Sequence, residues 1–175
     1  NDMIQIGKSD DKIVKSNDGN DTISIAETFS GKLQITDFDD TLDTLKLVVD
    51  VDTNSYIDSI QVDEGAFLFT TSDKGSVTIS NHDSPFSTVI FEEGPDDDTV
   101  LLVDGSAMAA SNQYTFDGDY IDKIIIDVAG QFVSEDWTSL NITETEGVGK
   151  IGLDGFDLVF TSFDATVLSN TVELI

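Results

Sequence analysis

The sequence predicts an all-β fold, and three observations support this prediction. Short runs of β-branched and aromatic residues recur about every ten residues, with Gly, Asn, Asp and Ser between them, as in strands joined by turns. Helical periodicity of apolar residues is almost absent. The opening residues repeat an Asp-x-Ile pattern, which indicates short stacked coils of parallel strands.

The repeat pattern places an Asp two residues before an Ile at Asp2, Asp11 and Asp21. The first two aspartates are nine residues apart, and the second and third are ten apart. The most complete copy, Ser16–Ser24, reads Ser-Asn-Asp-Gly-Asn-Asp-Thr-Ile-Ser. It keeps the second-half Gly, the Asp and the apolar residue of the glycine-rich nonapeptide of parallel β-rolls, and Ser and Asn occupy its two leading Gly positions. The alternative is an Asp-rich β-hairpin in which the spacing is accidental.

This stretch resembles the RTX (repeat-in-toxin) family of secreted, calcium-binding bacterial proteins. The resemblance implies a short parallel β-roll over residues 1–30, in which six turn residues alternate with three strand residues and Asp2 and Asp21 lie on the opposite side from Asp11. Residues 31–175 are expected to continue as a β-sandwich or flattened β-solenoid that packs on the roll as one unit.

Calcium is the cofactor that the resemblance implies, because carboxylates and turn carbonyls are hard oxygen ligands. The expected ligands lie in the repeat turns and in the acidic turn that follows them: Asp2, Ser9, Asp11, Asn17, Asp18, Gly19, Asp21, Asp37, Asp39, Asp40 and Asp43.

Strand-like runs bounded by turn residues continue to the end of the chain. The predicted strands after the repeats are Lys32–Thr36, Thr44–Val51, Ser59–Val62, Ala66–Thr71, Ser76–Ser80, Ser87–Phe91, Thr99–Val103, Gln113–Phe116, Lys123–Val128, Ser139–Thr143, Lys150–Leu153, Asp157–Thr161 and Thr166–Leu168. A short helical turn is predicted only within Ser106–Ser111. The segments that begin at Phe38, Phe91 and Phe116 share a residue pattern: a Phe, an acidic turn, an Asp and an aliphatic run. This Phe-and-acid plan indicates either one repeated structural unit or convergent hairpin composition.

The charge is extreme: 35 acidic residues face 8 lysines, for a net charge of −27. Nucleic acids and anionic membranes need basic patches, so binding to either is not expected. Two carboxylates about 4 Å apart near a surface repel by about 4 kcal/mol, and divalent cations remove that repulsion. The chain has no Cys, so bound metal is the expected substitute for disulfides. No apolar run approaches the about 20 residues of a membrane span, so direct insertion is not expected either.

Further acidic segments are weaker candidates for calcium sites. Asp50–Asp58 spaces oxygen ligands like a helix–loop–helix calcium loop, but Ser55 and Gln61 stand where Gly and Glu are expected, and an acidic β-turn is the alternative. Asp96–Asp98 and the Asp117–Asp122 turn are similar and weaker.

Catalysis is not expected, since His82 is the only His and no nucleophile motif or zinc spacing is present. The aromatic residues that a sugar-binding face would use are expected in the core by default: Tyr56, Tyr114, Tyr120 and Trp137.

The sequence therefore favours a non-catalytic calcium-binding module that folds on extracellular Ca²⁺, secreted or at the surface of a Gram-negative bacterium. The last residues, 170–175, resemble the acidic-then-hydrophobic ending of some type I-exported proteins. Two alternatives stay open. One is an adhesin or surface-layer module that binds polysaccharide or another surface protein, and the other is a C-terminal accessory domain of an exported enzyme.

Overall fold

The computed structural model describes residues 1–8, 11–26, 28–49, 56–93, 96–108, 112–128, 141–153, 156–162 and 172–175. Within these ranges the chain forms strands and two short 3₁₀ turns, Gly105–Ala107 and Gly118–Tyr120, and no α-helix, so the all-β prediction is confirmed. The strands are β1 (Met3–Ile6), β2 (Lys12–Val14), β3 (Thr22–Ile25), β4 (Lys32–Ile35), β5 (Thr44–Val49), β6 (Ile57–Asp63), β7 (Ala66–Thr71), β8 (Ser76–Ser80), β9 (Phe86–Glu93), β10 (Asp96–Asp104), β11 (Asn112–Asp117), β12 (Lys123–Asp127), β13 (Asn141–Thr145), β14 (Val148–Leu153), β15 (Phe156–Thr161) and β16 (Val172–Leu174).

These strands form three sheets. The first, sheet A, has the order β1-β3-β5-β9-β10-β12-β16. The second, sheet B, has the order β2-β4-β8-β7-β6, and the third, sheet C, has the order β11-β15-β14-β13. Parallel and antiparallel pairs occur in all three sheets.

The first five strands alternate between sheets A and B, so the chain crosses from one sheet to the other at every turn. Equivalent strands stack in parallel: Ile4 pairs with Ile23 and Ile23 with Leu45 in sheet A. In sheet B, Val14 pairs with Ile35. Asp2 and Asp21 therefore lie on one side of the stack and Asp11 on the other, as expected from the repeat spacing.

One hydrophobic cluster lies between sheets A and B, because alternate residues of both sheets point inward. Ile23, Ile25 and Leu47 come from sheet A, and Leu33 and Ile35 from sheet B, and each is at most 1% exposed. The cluster includes strands on both sides of residue 30, so the two proposed segments share a core.

A second hydrophobic cluster lies between sheet C and the other face of sheet A. β10 and β12 contact both clusters: Leu102 and Ile125 face the first, and Leu101 and Ile124 face the second. This burial on both faces explains the unbroken aliphatic runs of these two strands, which would alternate with polar residues if one face were solvated.

Two carboxylates close the edge of sheet B. β6 is the last strand of that sheet, and its outer N–H groups at Ile60 and Val62 donate to Asp127 and Asp104 at 2.8 and 2.7 Å. Asp104 also accepts the Ser106 N–H at 2.9 Å and is only 1% exposed. These contacts join the ends of β10 and β12 to β6 and satisfy N–H groups that an open edge would leave free.

Gly75 is required where the turn between β7 and β8 packs on Phe29. A Cβ at position 75 would overlap the carbonyl oxygen of Phe29 and lie 2.6 Å from its ring carbon Cδ1. Phe29 is fully buried, so its ring cannot move away into solvent.

Most predicted strands match observed strands to within about two residues, the usual uncertainty of element boundaries. The helical turn predicted within Ser106–Ser111 corresponds to Gly105–Ala107, and Thr166–Leu168 lies outside the described residues. Val172–Leu174, in the segment that resembles an export ending, forms a strand that pairs in parallel with β12.

Candidate metal site

The candidate site lies on the side of the stack where the chain passes from sheet B to sheet A. Two turns stack there, residues 15–21 between β2 and β3 and residues 36–43 between β4 and β5. Asn17 has a φ of 63° and Gly19 a φ of 137°, conformations in which a side chain other than Asn, Asp or Gly is strained. The left-handed backbone that glycines supply in the nonapeptide is therefore present, with Asn17 in place of one of them.

A ladder of aspartates precedes the three stacked strands of sheet A. Oδ1 of Asp21 accepts the N–H of Asp2, and Oδ1 of Asp43 accepts the N–H of Asp21 at 3.0 Å. The backbone continues the same stacking, because the N–H of Thr44 donates to the carbonyl oxygen of Asp21 at 2.8 Å. Asp21 and Asp43 thus each bind the backbone of the aspartate in the preceding coil.

Asp21 carries the least compensated charge in this ladder. Its side chain is only 1% exposed, and its Oδ2 is buried with no hydrogen-bond partner. Among the described residues its only ion-pair partner is the amine of Asn1, whose nitrogen lies 3.4 Å from Oδ1. Oδ2 lies 3.7 Å from the position that a Cβ at Gly19 would occupy. A buried carboxylate oxygen without a donor is costly and normally has a partner, an ordered water or an ion.

Ser16 joins two further carboxylates of the site. Its hydroxyl lies 2.9 Å from Oδ2 of Asp43 and 3.3 Å from Oδ1 of Asp37. A hydroxyl has one hydrogen to donate, so it can satisfy only one of them at a time. Asp43 is 8% exposed and also accepts the N–H of Asp39 at 3.1 Å, which brings a third carboxylate near the pair.

Hydrogen bonds favour the charged form of two carboxylates of the second turn, Asp37 and Asp39. Desolvation raises the pKa of Asp37, but donation from Ser16 and Asn17 and the charge of Lys15 outweigh it, so the pKa lies below its ordinary value of 3.8. The hydroxyl and N–H of Thr41 likewise lower the pKa of Asp39. Both groups are therefore anionic at neutral pH and offer oxygen ligands.

The two turns enclose an open cleft of about 440 Å³ beside the ladder. Its lining combines three carboxylates with an amide, a glycine and one apolar side chain: Asn17, Asp18, Gly19, Asp37, Asp39 and Leu42. Five of these six residues were predicted as ligands from the sequence, and Leu42 was not. Carboxylate and amide oxygens are the ligands that Ca²⁺ prefers, and a single ion needs six to eight of them.

Other predicted ligands are placed elsewhere. Asp11 lies across the stack, where its carboxylate accepts the N–H of Lys32 at 2.9 Å. Asp40 is exposed and borders a different cleft together with Asp43 and Thr88. Ser9 lies outside the described residues. In the part of the chain that the structure describes, no three His, Cys, Asp or Glu side chains converge closely enough to form a metal centre unaided.

Sequence reasoning did not select Ser16 as a site residue, although its hydroxyl links Asp37 and Asp43. A signal was present: Ser16 stands where the nonapeptide that this stretch resembles has its leading Gly, so a side chain is present at a position where that nonapeptide has none.

The weaker acidic candidates have structural partners or fall outside the described residues. Residues 50–55 of the calcium-loop candidate lie outside them. Asp97 pairs with Lys46 at 3.1 Å, and Asp117 accepts the N–H of Asp119 at 3.3 Å. Oδ2 of Asp122 accepts the N–H of Thr99 at 2.8 Å, across parallel strands.

Asp122 thus repeats the arrangement of Asp43, because each accepts the N–H of the residue opposite it in the neighbouring strand. In two of the three segments that contain a Phe, an acidic turn, an Asp and an aliphatic run, the Asp therefore makes the same contact with a backbone N–H. The third, Asp98, lies inside β10.

The aromatic residues and the single His are distributed between core and surface. Tyr56 packs edge-on against Phe91, and Tyr114 is partly buried in the second cluster, so both have the expected core roles. Tyr120 is 72% exposed, so the core prediction is wrong for it, and Trp137 lies outside the described residues. His82 lies in the turn between β8 and β9, and its Nε2 is 3.1 Å from the backbone oxygen of Phe86, the first residue of β9.

No protein-family model matches this chain, and no curated protein sequence is significantly similar to it. Of the helices within the described residues, none combines the length and the apolar character that crossing a membrane requires.

Proposed function

We propose that this chain is a non-catalytic calcium-binding β module of RTX type, secreted or at the bacterial cell surface, that folds when extracellular Ca²⁺ binds. In this proposal the first coils form a parallel β-roll, and the ions bind at the aspartate ladder and the adjoining cleft. The residues proposed to hold them are Asn17, Asp18, Gly19, Asp21, Asp37, Asp39 and Asp43.

The buried Oδ2 of Asp21 is the observation that carries the proposal. It is an anionic oxygen without a hydrogen-bond donor, it lies under Gly19 of the cleft, and its neighbours in the ladder are also carboxylates. A hard divalent cation would neutralise the ladder and supply the partner that Oδ2 lacks. The described protein ligands do not form a complete centre, so water and backbone carbonyls would complete the coordination shell.

The proposed mechanism is linkage between binding and folding. At low calcium the stacked carboxylates repel one another and the roll is unstable. One site filled at 100 times its dissociation constant adds about 2.7 kcal/mol to the stability of the folded state. A small domain has only about 5–15 kcal/mol in total, so a few sites are enough to switch it.

Circular dichroism and thermal melting in chelator and in millimolar Ca²⁺ test the proposal. Calcium should increase the β signal and the melting temperature, and Asp21→Ala should reduce this response more than Asp73→Ala. Asp73 is exposed in the turn between β7 and β8, so its substitution makes the same charge change away from the site. Identical spectra and melting curves in both conditions would exclude calcium-dependent folding.

A second candidate function, polysaccharide binding, is favoured by one observation. Tyr120 is 72% exposed and follows Asp117 and Asp119 in an acidic turn, the combination of a stacking surface and hydrogen-bond acceptors that sugars bind. Saturable binding to a glycan array that is lost in Tyr120→Ala would support this function, and a blank array would count against it.

A further inference from the structure

The hydroxyl of Ser16 lies among three oxygen atoms of the turn between β4 and β5. It is 2.9 Å from Oδ2 of Asp43, 3.3 Å from Oδ1 of Asp37 and 3.4 Å from the carbonyl oxygen of Asp37. Ser16 is only 2% exposed and Asp43 only 8%, so bulk water competes little for these contacts. All three neighbours are hydrogen-bond acceptors, and two of them belong to carboxylates.

The Ser16 hydroxyl cannot satisfy all three acceptors, because it has one hydrogen to donate. The carboxylate of Asp37 is anionic at neutral pH, because the desolvation that raises its pKa is outweighed by hydrogen bonds that lower it. The N–H of Asp39 adds a donor to Oδ2 of Asp43 at 3.1 Å, but a backbone N–H carries no net charge. The three oxygens therefore surround a neutral group at a point where a cation would satisfy all of them.

The same three oxygens are suitable ligands for a hard divalent ion. Ca²⁺ binds carboxylate and carbonyl oxygens at about 2.3–2.6 Å. An ion at the position of the Ser16 oxygen would draw the oxygens of Asp37 and Asp43 inward by about 1 Å or less. Asp37 also lines the open cleft, from which water can complete the coordination shell. In the native chain this position is not available to an ion, because the Ser16 oxygen occupies it.

We propose, on the basis of the calcium-binding function proposed above, that the Ser16 hydroxyl takes the place of one calcium ion between Asp37 and Asp43. It joins the two stacked turns without metal, so this contact of the stack does not depend on calcium. The ions then bind at the unpartnered Oδ2 of Asp21 and in the cleft. Ser16 thus sets how many ions the side of the stack with Asp21 binds, and it is a positioning residue for the two carboxylates it joins.

Two substitutions at position 16 separate the hydrogen bond from the space that the side chain fills. Ser16→Ala removes the hydroxyl but keeps the Cβ, which is one covalent bond from the vacated position and excludes an ion from it. Ser16→Gly removes both and leaves room for an ion. The φ of Ser16 is not in the left-handed region, so both variants can keep the native backbone conformation.

Equilibrium dialysis and thermal melting of the full 175-residue chain test the proposal. In saturating Ca²⁺, Ser16→Gly should bind one more ion per chain than the native protein, and Ser16→Ala should bind the same number as the native protein. Gly is ordinarily less stabilising than Ala, but the added ion should reverse this order. At Ca²⁺ about 100 times above the dissociation constant of the added site, Ser16→Gly should melt about 3–6 °C above Ser16→Ala.

Ser72→Gly and Ser72→Ala are the matched control pair, because Ser72 is exposed in the turn between β7 and β8. Neither should change the number of bound ions, and Ser72→Gly should not melt above Ser72→Ala. A calcium titration followed by circular dichroism adds a second measurement. Both variants at position 16 should need more Ca²⁺ to fold than the native chain, and the folding transition should be steeper in Ser16→Gly, because folding then takes up one more ion.

If Ser16→Gly binds no more ions than the native chain, or melts below Ser16→Ala in saturating Ca²⁺, the hydroxyl is only a hydrogen-bonding link and the proposal is overturned. The same holds if Ser16→Gly fails to fold in Ca²⁺, since an ion then cannot replace the hydroxyl. Either result leaves the proposed function intact when the native chain still folds on binding calcium. A native chain that binds no calcium would overturn the proposed function and the role of Ser16 together.

Discussion

Replacing Asp21 by Asn should have opposite effects on stability in the absence and presence of calcium. The substitution keeps the shape of the side chain and leaves an oxygen to accept the N–H of Asp2. It removes a negative charge that is 1% exposed and stands in a row with the carboxylates of Asp2 and Asp43. Without a cation that charge is unfavourable, and with Ca²⁺ it becomes a ligand.

The size of the effect follows from the strand spacing. Neighbouring parallel strands lie about 4.8 Å apart, and two carboxylates at that distance repel by about 3 kcal/mol at an effective dielectric constant near 20. Asp2 is exposed and Asp43 accepts three hydrogen bonds, so only part of this repulsion acts on Asp21. The N–H of Asp2 donates a weaker hydrogen bond to an amide oxygen than to a carboxylate, which subtracts about 1 kcal/mol.

We therefore expect Asp21→Asn to stabilise the calcium-free protein by about 1–2 kcal/mol. At Ca²⁺ 100 times above the dissociation constant it should be less stable than the unmodified chain by about 1–2 kcal/mol, because the variant lacks the about 2.7 kcal/mol of one filled site but keeps the gain from the removed repulsion. The fraction folded in chelator, measured by circular dichroism, and urea denaturation in Ca²⁺ measure the two differences, with Asp73→Asn as the matched charge control. If Asp21→Asn destabilises the protein equally in both conditions, the carboxylate is only a backbone cap and the cation argument fails.

Two further predictions concern packing and pH. Gly75→Ala should lower the free energy of unfolding by about 1–3 kcal/mol, because the added Cβ overlaps Phe29 at a site that cannot relax. Thermal melting measures the effect, and Ser72→Ala, which is exposed in the same turn, is the control. Equal melting temperatures of Gly75→Ala and Ser72→Ala would contradict the close approach. Asp37→Asn should destabilise the calcium-free protein at neutral pH, because the pKa of Asp37 is lower in the folded than in the unfolded chain. The stabilisation that the charged Asp37 gains from Ser16 and Asn17 is complete above the unfolded value of 3.8 and is lost as pH falls through the lower folded value, so a difference between the two proteins that does not shrink as pH falls below 3.8 would refute this cause.

The strand positions could be read from the sequence because they are local properties. Alternation in Lys32–Ile35 and Thr44–Val49 reports which side chains face the core, and Gly, Asn and Asp mark the turns between them. The resemblance to a nonapeptide repeat implied that Asp2 and Asp21 lie on one side and Asp11 on the other, and the structure agrees because successive strands alternate between two sheets.

The candidate site was predictable in outline but not in its contacts. The turn residues that line the cleft carry oxygen ligands in a recognisable pattern, so their chemistry is local. The contact of Ser16 with Asp37 and Asp43 spans more than 20 residues and depends on how two turns stack. The buried, unpartnered Oδ2 of Asp21 depends on the same stacking, because only neighbouring coils exclude water from it.

By itself the sequence determined that this protein is built from β-strands and that acidic turns separate the first of them, since strand alternation and turn chemistry act over a few residues. The tertiary structure decided the rest. It placed sheet C on the second face of sheet A and set Asp104 and Asp127 against the edge of β6. Those arrangements depend on which distant strands meet, and the free energy that selects among pairings comes from burying whole faces together, which no short stretch of sequence encodes.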